Sequence, residues 1–265
     1  MSVESYILRL QKERAPGVGG TLILGMLSAL ETLYRRGVIS RRQKEMAGAE
    51  TVSIPVISVG NMTAGGTGKT PCIIRLTGML KQSGHRPAVL TRGYRGKLEK
   101  NGGIVSDWNE VLLPAEEAGD EPYMMAVKMP HVPVLVGKDR NASAEKAIAM
   151  GADVLLLDDG FQYWRLNRDL DIVLIDCTNP FGAGHLLPRG LLREPLDCMK
   201  RADVFVLTKS DQVTEKEKQE IIQKIREIHP KAPVVESHHT PAGIIEYHAW
   251  KRKEEVSAEE GRGRK

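Results

Sequence analysis

The feature that most constrains the fold is a glycine-rich run that directly follows a short apolar segment. The apolar segment is Val56–Val59, and the run after it reads Gly60-Asn61-Met62-Thr63-Ala64-Gly65-Gly66-Thr67-Gly68-Lys69-Thr70. A strand, a glycine loop and then a helix is the context in which backbone N–H groups and a helix N-terminus bind phosphate. The strict motif has a glycine where this chain has Thr63. We nevertheless predict a phosphate-binding loop, because a plain glycine turn accounts for neither Lys69 nor Thr70.

This context predicts how each part of the loop would contact a nucleotide. Glycines allow successive backbone N–H groups to face the phosphates. Lys69 would reach the β- and γ-phosphates, and the Thr70 hydroxyl would bind Mg²⁺. The predicted nucleotide-binding residues are Thr63, Ala64, Gly65, Gly66, Thr67, Gly68, Lys69 and Thr70.

A second chemical signal is a pair of acids at the end of another apolar segment. Val154–Leu157 leads directly into Asp158 and Asp159. At the carboxyl edge of a parallel sheet these acids would face the same crevice as the phosphate loop. One can bind Mg²⁺ while the other orients a water or the nucleophile. Acids also commonly cap turns after strands, but two in succession favour the nucleotide site; Asp176 is a reserve candidate.

The middle of the chain alternates strand-like and helix-like segments. Short apolar runs without polar alternation indicate parallel strands that are covered on both faces. Repeated strand–helix–strand units predict an α/β fold, a P-loop NTPase-like, doubly wound, mostly parallel sheet. The predicted strands are 54–59, 88–90, 132–136, 154–157, 172–175 and 204–207, and the predicted helices are 70–82, 121–128, 142–150 and 214–228.

Composition narrows the class of protein. The chain has 265 residues, of which 41% are hydrophobic and 27% charged, which suits one large globular domain. A net charge of +4 is too small to indicate nucleic acid as a partner. Three cysteines are too few for a disulfide framework or a four-ligand zinc site. These values exclude fibrous, disordered, disulfide-rich and polytopic membrane proteins, and they favour a soluble enzyme of a reducing cytosol.

An apolar segment near the N-terminus, Val18–Leu30, allows two interpretations. It is shorter than the roughly 20 residues that a membrane-spanning helix needs, and it lacks a signal-peptide cleavage site. The first interpretation, which the segment alone favours, is an amphipathic helix packed on the domain. The second is a helix in a membrane surface. It would insert Leu22, Ile23, Met26, Leu27 and Leu30, with Arg35, Arg36, Arg41 and Arg42 near anionic headgroups.

A four-residue polar stretch keeps an alternative function open. Thr208-Lys209-Ser210-Asp211 is similar to the box by which many GTPases recognise guanine. The alternative is therefore a P-loop GTPase or metallochaperone-like nucleotide switch, although the chain lacks a Cys/His metal cluster. A turn followed by a capped helix explains the stretch equally well.

Read together, these loops resemble the tetraacyldisaccharide 4'-kinase (lipid A 4'-kinase) family. That family also carries threonine at the position of Thr63. Five further stretches occur in the family's order: Thr91-Arg92-Gly93-Tyr94, Gly119-Asp120-Glu121-Pro122, Val136-Gly137-Lys138-Asp139-Arg140, Leu157-Asp158-Asp159-Gly160-Phe161-Gln162, and Leu187-Pro188-Arg189-Gly190-Leu191-Leu192-Arg193-Glu194-Pro195. The resemblance covers roughly residues 16–239 and includes the arginine-flanked N-terminal helix.

The resemblance implies a reaction and a place in the cell. ATP, with Mg²⁺, would phosphorylate the 4'-hydroxyl of a tetraacyldisaccharide 1-phosphate to give the lipid A precursor lipid IVA. The implied site of action is the cytoplasmic face of the inner membrane, which shifts the interpretation of the N-terminal helix toward interfacial docking. The expected partners are the lipid disaccharide and the membrane surface, with no nucleic acid and no obligate protein partner.

The resemblance also implies roles for individual residues. Asp120 would be the general base on the hydroxyl, although it could also cap the helix from Glu121. Lys69 and Asp159 join it as catalytic residues, and Thr70 with Asp158 or Asp159 would hold the metal. The candidates for gripping the phosphate and sugar of the substrate are Arg92, Tyr94, Arg140, Gln162 and Arg193. Glu194 would assist the metal or a basic partner.

The predicted organisation has three parts. Residues 1–50 form an N-terminal amphipathic, membrane-proximal helical segment, residues 51–235 the kinase core, and residues 236–265 the start of a truncated C-terminal lobe or a frayed tail. Members of the family continue through a second lobe that supplies a histidine partner for the aspartate base. His238 and His239 do not stand in that context, so neither is assigned a catalytic role.

Overall fold

A single eight-stranded sheet organises the residues that this computed structural model describes, 17–94 and 96–238. The strands run in the order β3-β4-β2-β5-β1-β6-β7-β8. Neighbouring strands pair in parallel except β3 with β4, which is antiparallel. Their bounds are Val56–Asn61 (β1), Pro87–Thr91 (β2), Gly103–Ser106 (β3), Val134–Val136 (β4), Val154–Asp158 (β5), Leu170–Asp176 (β6), Val204–Thr208 (β7) and Val234–Ser237 (β8).

Six α-helices accompany the sheet within the described residues. They are Val18–Ala47 (α1), Lys69–Gln82 (α2), Ala115–Ala118 (α3), Asp120–Lys128 (α4), Arg140–Ala149 (α5) and Glu215–Ile228 (α6), with short 3₁₀ turns at Gly182–Gly184, Leu196–Arg201 and Ser210–Gln212. The last helix, α6, begins with a capping box in which Thr214 and Glu217 bond each other's backbone N–H groups. Strands and helices alternate along most of the chain, which confirms the predicted doubly wound α/β fold.

Strand β5 shows why the core strands read as continuous apolar runs. Leu155, Leu156 and Leu157 are each fully buried. Leu156 packs into the cluster that contains Ile73 of α2, whereas Leu155 and Leu157 belong to the cluster that contains Ala144 of α5. Successive side chains of a strand point to opposite faces, so helices on both faces require apolar residues at every position.

The structure contains two strands that the sequence analysis did not predict. Both β3 and β8 lie at the edges of the sheet and have only four residues each. The residues of β8 are mostly exposed, so no apolar run marks it.

Residues 239–265 lie outside the described residues, so the predictions for that region, including His239, remain predictions. His238 follows β8 and is exposed.

Helix α1 packs on the domain along one side and exposes apolar side chains on the other. The Tyr34 hydroxyl donates to the Arg193 carbonyl at 3.2 Å, and Glu31 accepts from the Leu186 backbone at 2.8 Å. Leu27 is buried, so the prediction that it inserts into a membrane is wrong. The exposed side has i, i+4, i+8, i+11 spacing and consists of Leu22, Met26, Leu30 and Leu33. Within the described ranges, no helix has the length and apolar character needed to cross a bilayer.

Candidate active site

The glycine loop joins β1 to α2 and leaves its backbone accessible. Gly65 and Gly68 have φ values of 117° and 87°, which glycine adopts without strain. A Cβ placed on Gly65 or Gly66 would meet no atom within 4 Å, so a ligand can approach the backbone there. The first residue of α2 is Lys69, which places a helix N-terminus at the end of the loop.

The end of β7 and the segment 191–193 form hydrogen bonds with the glycine loop and hold it in place. The Thr208 hydroxyl donates to the Thr67 carbonyl at 3.0 Å. On the other side, Ala64 N donates to Leu191 O at 2.7 Å and Arg193 N donates to Met62 O at 2.8 Å. Thr63 is buried and forms an antiparallel bridge with Leu192, so the position where the strict motif has glycine is a packing position here.

Asp158 is the last residue of β5. One of its carboxylate oxygens accepts a hydrogen bond, and the other has no partner among the described residues. Its Oδ2 accepts from the Thr91 hydroxyl at 2.8 Å, whereas its buried Oδ1 has no partner among the described residues. Burial raises the pKa of Asp158 to about 6, assisted by the charges of Glu121 and Asp159, although the Thr91 hydrogen bond and Arg140 act in the opposite direction. Because this oxygen is buried and has no partner, a cation bound to it would be favourable.

Asp159 faces two cations and adopts a left-handed backbone conformation, with φ of 51°. Arg193 donates to both of its carboxylate oxygens, at 2.6 and 2.8 Å, and Lys69 Nζ lies 3.5 Å from Oδ1. Burial alone would raise the pKa of Asp159, but the hydrogen bonds and charge of Arg193 and the charge of Lys69 outweigh burial and lower it. The structure therefore brings Lys69, Asp159 and Arg193 together.

The N-terminus of α4 adds an acid that the sequence analysis did not assign to the site. The Thr70 hydroxyl donates to Glu121 Oε1 at 2.5 Å. The signal for Glu121 was available, since it stands beside Asp120 in the Gly-Asp-Glu-Pro stretch. The Asp120 side chain is exposed, and no hydrogen bond or ion pair joins it to another described residue. Gly119 occupies the N-cap position of α4, so the alternative interpretation of Asp120 as the cap of this helix is wrong.

A basic cleft of about 420 Å³ opens beside this site. Six cationic side chains and only two acidic ones line it. The lining includes four predicted substrate residues, Arg92, Arg140, Gln162 and Arg193, together with Arg41, Glu45, Lys138, Asp159, Tyr163 and Arg165. The predicted Tyr94 is exposed, and its ring centre lies 5.6 Å from the Arg92 guanidinium.

Two of the lining residues, Arg140 and Gln162, are held in place by buried contacts. Arg140 donates to the Asp158 carbonyl at 2.9 Å and stacks 4.9 Å from the Tyr163 ring, and its Nε has no partner among the described residues. Gln162 donates to Glu194, which is fully buried and paired with Arg201 at 2.9 Å. Glu194 therefore has a basic partner, and it orients Gln162.

The remaining candidates lie at the ends of β6 and β7. Asp176 forms an ion pair with Lys209, and it accepts from Thr178 N at 2.9 Å. Thr208, the first residue of the GTPase-like stretch, contacts the glycine loop through Thr67. The stretch is thus next to the predicted nucleotide site, but Lys209 forms an ion pair with Asp176.

The sheet order, the glycine loop between β1 and α2, and the acids that end β5 define a P-loop NTPase-like fold. Residues 23–262 match the family Tetraacyldisaccharide-1-P 4'-kinase, and the chain belongs to this family. The predicted family resemblance is confirmed. The family is a kinase family, and nothing supports the guanine-nucleotide alternative better.

Individual relatives agree with this membership. Tetraacyldisaccharide 4'-kinase of Halothermothrix orenii is 41% identical over 240 residues, which cover 89% of this chain and 62% of the relative. The enzyme of Syntrophus aciditrophicus is 46% identical over 213 residues, which cover 78% and 57% of the two chains. The crystal structure of LpxK from Aquifex aeolicus in complex with ATP is 39% identical, with a TM-score of 0.65, over 71% of this chain and 60% of that one. This chain therefore spans about 60% of the length of the relatives that it matches.

Proposed function

We propose that this chain is the ATP-binding core of a tetraacyldisaccharide 4'-kinase and phosphorylates the 4'-hydroxyl of tetraacyldisaccharide 1-phosphate to give lipid IVA. The observation that carries the proposal is the basic cleft, because its lining includes Asp159, which contacts Lys69 at the end of the glycine loop. A kinase for a phosphorylated sugar needs an anion-binding surface next to its nucleotide site. The relatives named above are kinases of this type, and the solved relative was crystallised with ATP.

The nucleotide phosphates would bind at the backbone of residues 63–68. That backbone is open at Gly65 and Gly66, and Lys69 stands at the end of the loop. A phosphoryl group in transfer carries charge on several oxygens, so catalysis depends on positioning and on electrostatic stabilisation. Lys69 would supply one cation for this purpose. Arg193 would supply a second, and its contact with Asp159 holds it near Lys69.

The residues present fit a magnesium ion. Mg²⁺ prefers oxygen ligands and usually combines one or two carboxylates with phosphates and water. Asp158 offers an oxygen without a partner, and Thr70 offers a hydroxyl beside Glu121. Asp159 fits less well as a direct ligand because Arg193 occupies both of its oxygens. The ion would neutralise charge on the transferred phosphoryl group. The described ranges contain no cluster of three or more His, Cys, Asp or Glu side chains that could hold a metal, so the phosphates would complete the set.

The acceptor would lie in the basic cleft. Arg140 and Arg193 line the cleft and are anchored by a neighbouring carbonyl or acid, so their guanidinium groups are held in place before a ligand binds. Gln162 is fixed through Glu194 and can hydrogen-bond a sugar hydroxyl. Arg41 extends the cleft onto α1, which links the acceptor site to the helix that we propose docks on the membrane.

Asp120 is the proposed general base for the acceptor hydroxyl. Its carboxylate is exposed at the start of α4, one residue from the contact between Glu121 and Thr70. We expect Asp120→Asn to lower kcat by about 10²- to 10⁴-fold with little change in KM for ATP, because the variant removes proton transfer and keeps the shape. Steady-state kinetics would measure this, with Glu117→Gln as the control for an exposed acid in the preceding helix. A kcat within threefold of the unmodified chain would exclude this role.

Helix α1 is the proposed contact with the cytoplasmic face of the inner membrane. Its exposed stripe includes Leu22 and Met26, which are 67% and 70% exposed. We expect Leu22→Ser combined with Met26→Ser to weaken co-sedimentation with phosphatidylglycerol-containing vesicles at least about tenfold, because each apolar side chain contributes about 1.5–3 kcal/mol on leaving water. Met79→Ser with Val127→Ser is the matched control, since both residues are about half exposed elsewhere. Equal loss in both double variants would contradict docking through α1.

The direct test of the reaction is transfer of label from the γ-phosphate of ATP to tetraacyldisaccharide 1-phosphate in detergent micelles. We expect a singly labelled lipid product that requires Mg²⁺ and forms faster with ATP than with GTP. Absence of transfer together with preferential binding of GTP would instead favour the nucleotide-switch alternative.

A further inference from the structure

Asn61 contacts both cations of the cluster formed by Lys69, Asp159 and Arg193. The function proposed above gives it no role. It is the last residue of β1 and is fully buried. Its Nδ2 donates to the Thr63 carbonyl, and its Oδ1 accepts from Lys69 Nζ at 3.1 Å and from Arg193 Nη1 at 3.4 Å. Because a carbonyl only accepts and the two cations only donate, this orientation of the amide is the one that satisfies all three partners.

The charges around Asn61 explain why a neutral side chain is suited to this position. Lys69 and Arg193 both face the single carboxylate of Asp159. The cluster of these three residues therefore carries a net charge of +1, which favours a phosphate. An aspartate at position 61 would have nearly the same shape and would cancel that charge. The amide supplies an acceptor for both cations and leaves the charge in place.

We propose that Asn61 is a positioning residue that keeps the Lys69 ammonium at the glycine loop and leaves it free to move onto a phosphate. The inference rests on the proposed nucleotide binding. Lys69 is partly buried, with 16% of its side chain exposed, and an ammonium in such a place is costly to separate from a second carboxylate because one charge would be left uncompensated. A neutral amide holds the ammonium without that cost, so Lys69 can exchange Asn61 for a phosphate oxygen when a nucleotide binds.

A purely structural role predicts a different behaviour. If Asn61 only supported the Thr63 carbonyl, then losing the amide would destabilise the loop. Asn61→Ala would then weaken nucleotide binding and leave the acylation rate of the Lys69 amine unchanged. The positioning role predicts instead that Asn61→Ala changes the acylation rate of Lys69, and that Asn61→Asp changes it in the opposite direction, since only aspartate forms an ion pair with Lys69.

The experiment compares Asn61→Asp, Asn61→Ala and a control, Asn109→Asp, which adds the same charge at an exposed position. Two quantities are measured: the Kd for MgATP and the rate at which acetic anhydride acylates Lys69, followed by mass spectrometry with exposed Lys146 as the internal reference. We expect Asn61→Asp to weaken MgATP binding at least about tenfold and to slow acylation of Lys69 severalfold. Asn61→Ala should weaken binding about threefold and accelerate acylation, and the control should match the unmodified chain.

The outcomes separate this inference from the proposed function. If the unmodified chain does not bind MgATP, the proposed function fails, whereas the acylation rates still report on Asn61. If the chain binds MgATP but Asn61→Asp and Asn61→Ala weaken it equally, with Lys69 acylated at the same rate in both, the positioning role is wrong. If Asn61→Asp does not fold, unchanged binding and unchanged acylation in Asn61→Ala overturn the proposal on their own.

Discussion

Replacing Lys69 with alanine should reduce phosphoryl transfer by about 10²- to 10³-fold, which is the typical effect of removing one preorganised group that stabilises transition-state charge. Lys69 stands at the N-terminus of α2, 3.1 Å from Asn61 Oδ1 and 3.5 Å from Asp159. Its loss removes the cation that the glycine loop offers to the phosphates. Arg193 continues to pair with Asp159, so the fold should be kept.

The measurement is single-turnover transfer from ATP together with thermal unfolding of the same variant. Lys146→Ala is the control, because Lys146 is an exposed lysine on α5 that is not part of the site. We expect the control to retain full activity and both variants to unfold within a few degrees of the unmodified chain. A Lys69→Ala variant with near-normal turnover would refute the assignment of the glycine loop as the nucleotide site.

Replacing Asp158 with asparagine should change activity and stability in opposite directions. We expect transfer to fall at least about 10²-fold, because the carboxylate oxygen without a partner would no longer be available to Mg²⁺. The nucleotide-free variant should nevertheless be more stable above pH 6. The pKa of Asp158 in the folded chain is raised to about 6 from the ordinary aspartate value of 3.8, mainly by burial.

The direction of the change in folding stability follows from the protons that the folded and unfolded chains bind. Between pH 3.8 and about 6 the folded chain holds a proton on Asp158 that the unfolded chain has lost, so stability falls as the pH rises through this window. Asparagine carries no charge, and the variant should gain up to about 3 kcal/mol above pH 6 and nothing below pH 3.8. Thermal unfolding in metal-free buffer at pH 4, 6 and 8 measures the difference. Asp197→Asn, which alters an exposed carboxylate, is the control; a gain of the same size at pH 4 and 8 would contradict the burial effect.

Much of the site was predictable because its signals are local. The alternation of apolar runs and helical segments predicted six of the eight strands, since parallel strands that are covered on both faces must be apolar at every position. The strand, glycine loop and Gly-Lys-Thr predicted the loop between β1 and α2. The acids Asp158 and Asp159 were found at the carboxyl edge because β5 pairs with β1 in parallel.

Other contacts could not be predicted, because the residues that make them are far apart in the chain. Glu121 reaches Thr70 across 51 positions, and Arg193 reaches Asp159 across 34. The edge strands β3 and β8 have too few apolar residues for their sequences to be distinguished from those of loops. The inward position of Leu27 depends on where α1 packs, which helical spacing alone does not reveal.

The sequence by itself therefore determined the class of fold, the position of the glycine loop and the family. Each depends on residues that are adjacent in the chain or on a fixed order of short stretches. Only the tertiary structure decided how the charges are shared: Asp159 pairs with Arg193 and Lys69, Asp158 keeps one oxygen free, and Asn61 stands neutral between the two cations. The reason is physical. Electrostatic interactions depend on distance and burial, and both are fixed only when separate strands and loops meet at one edge of the sheet.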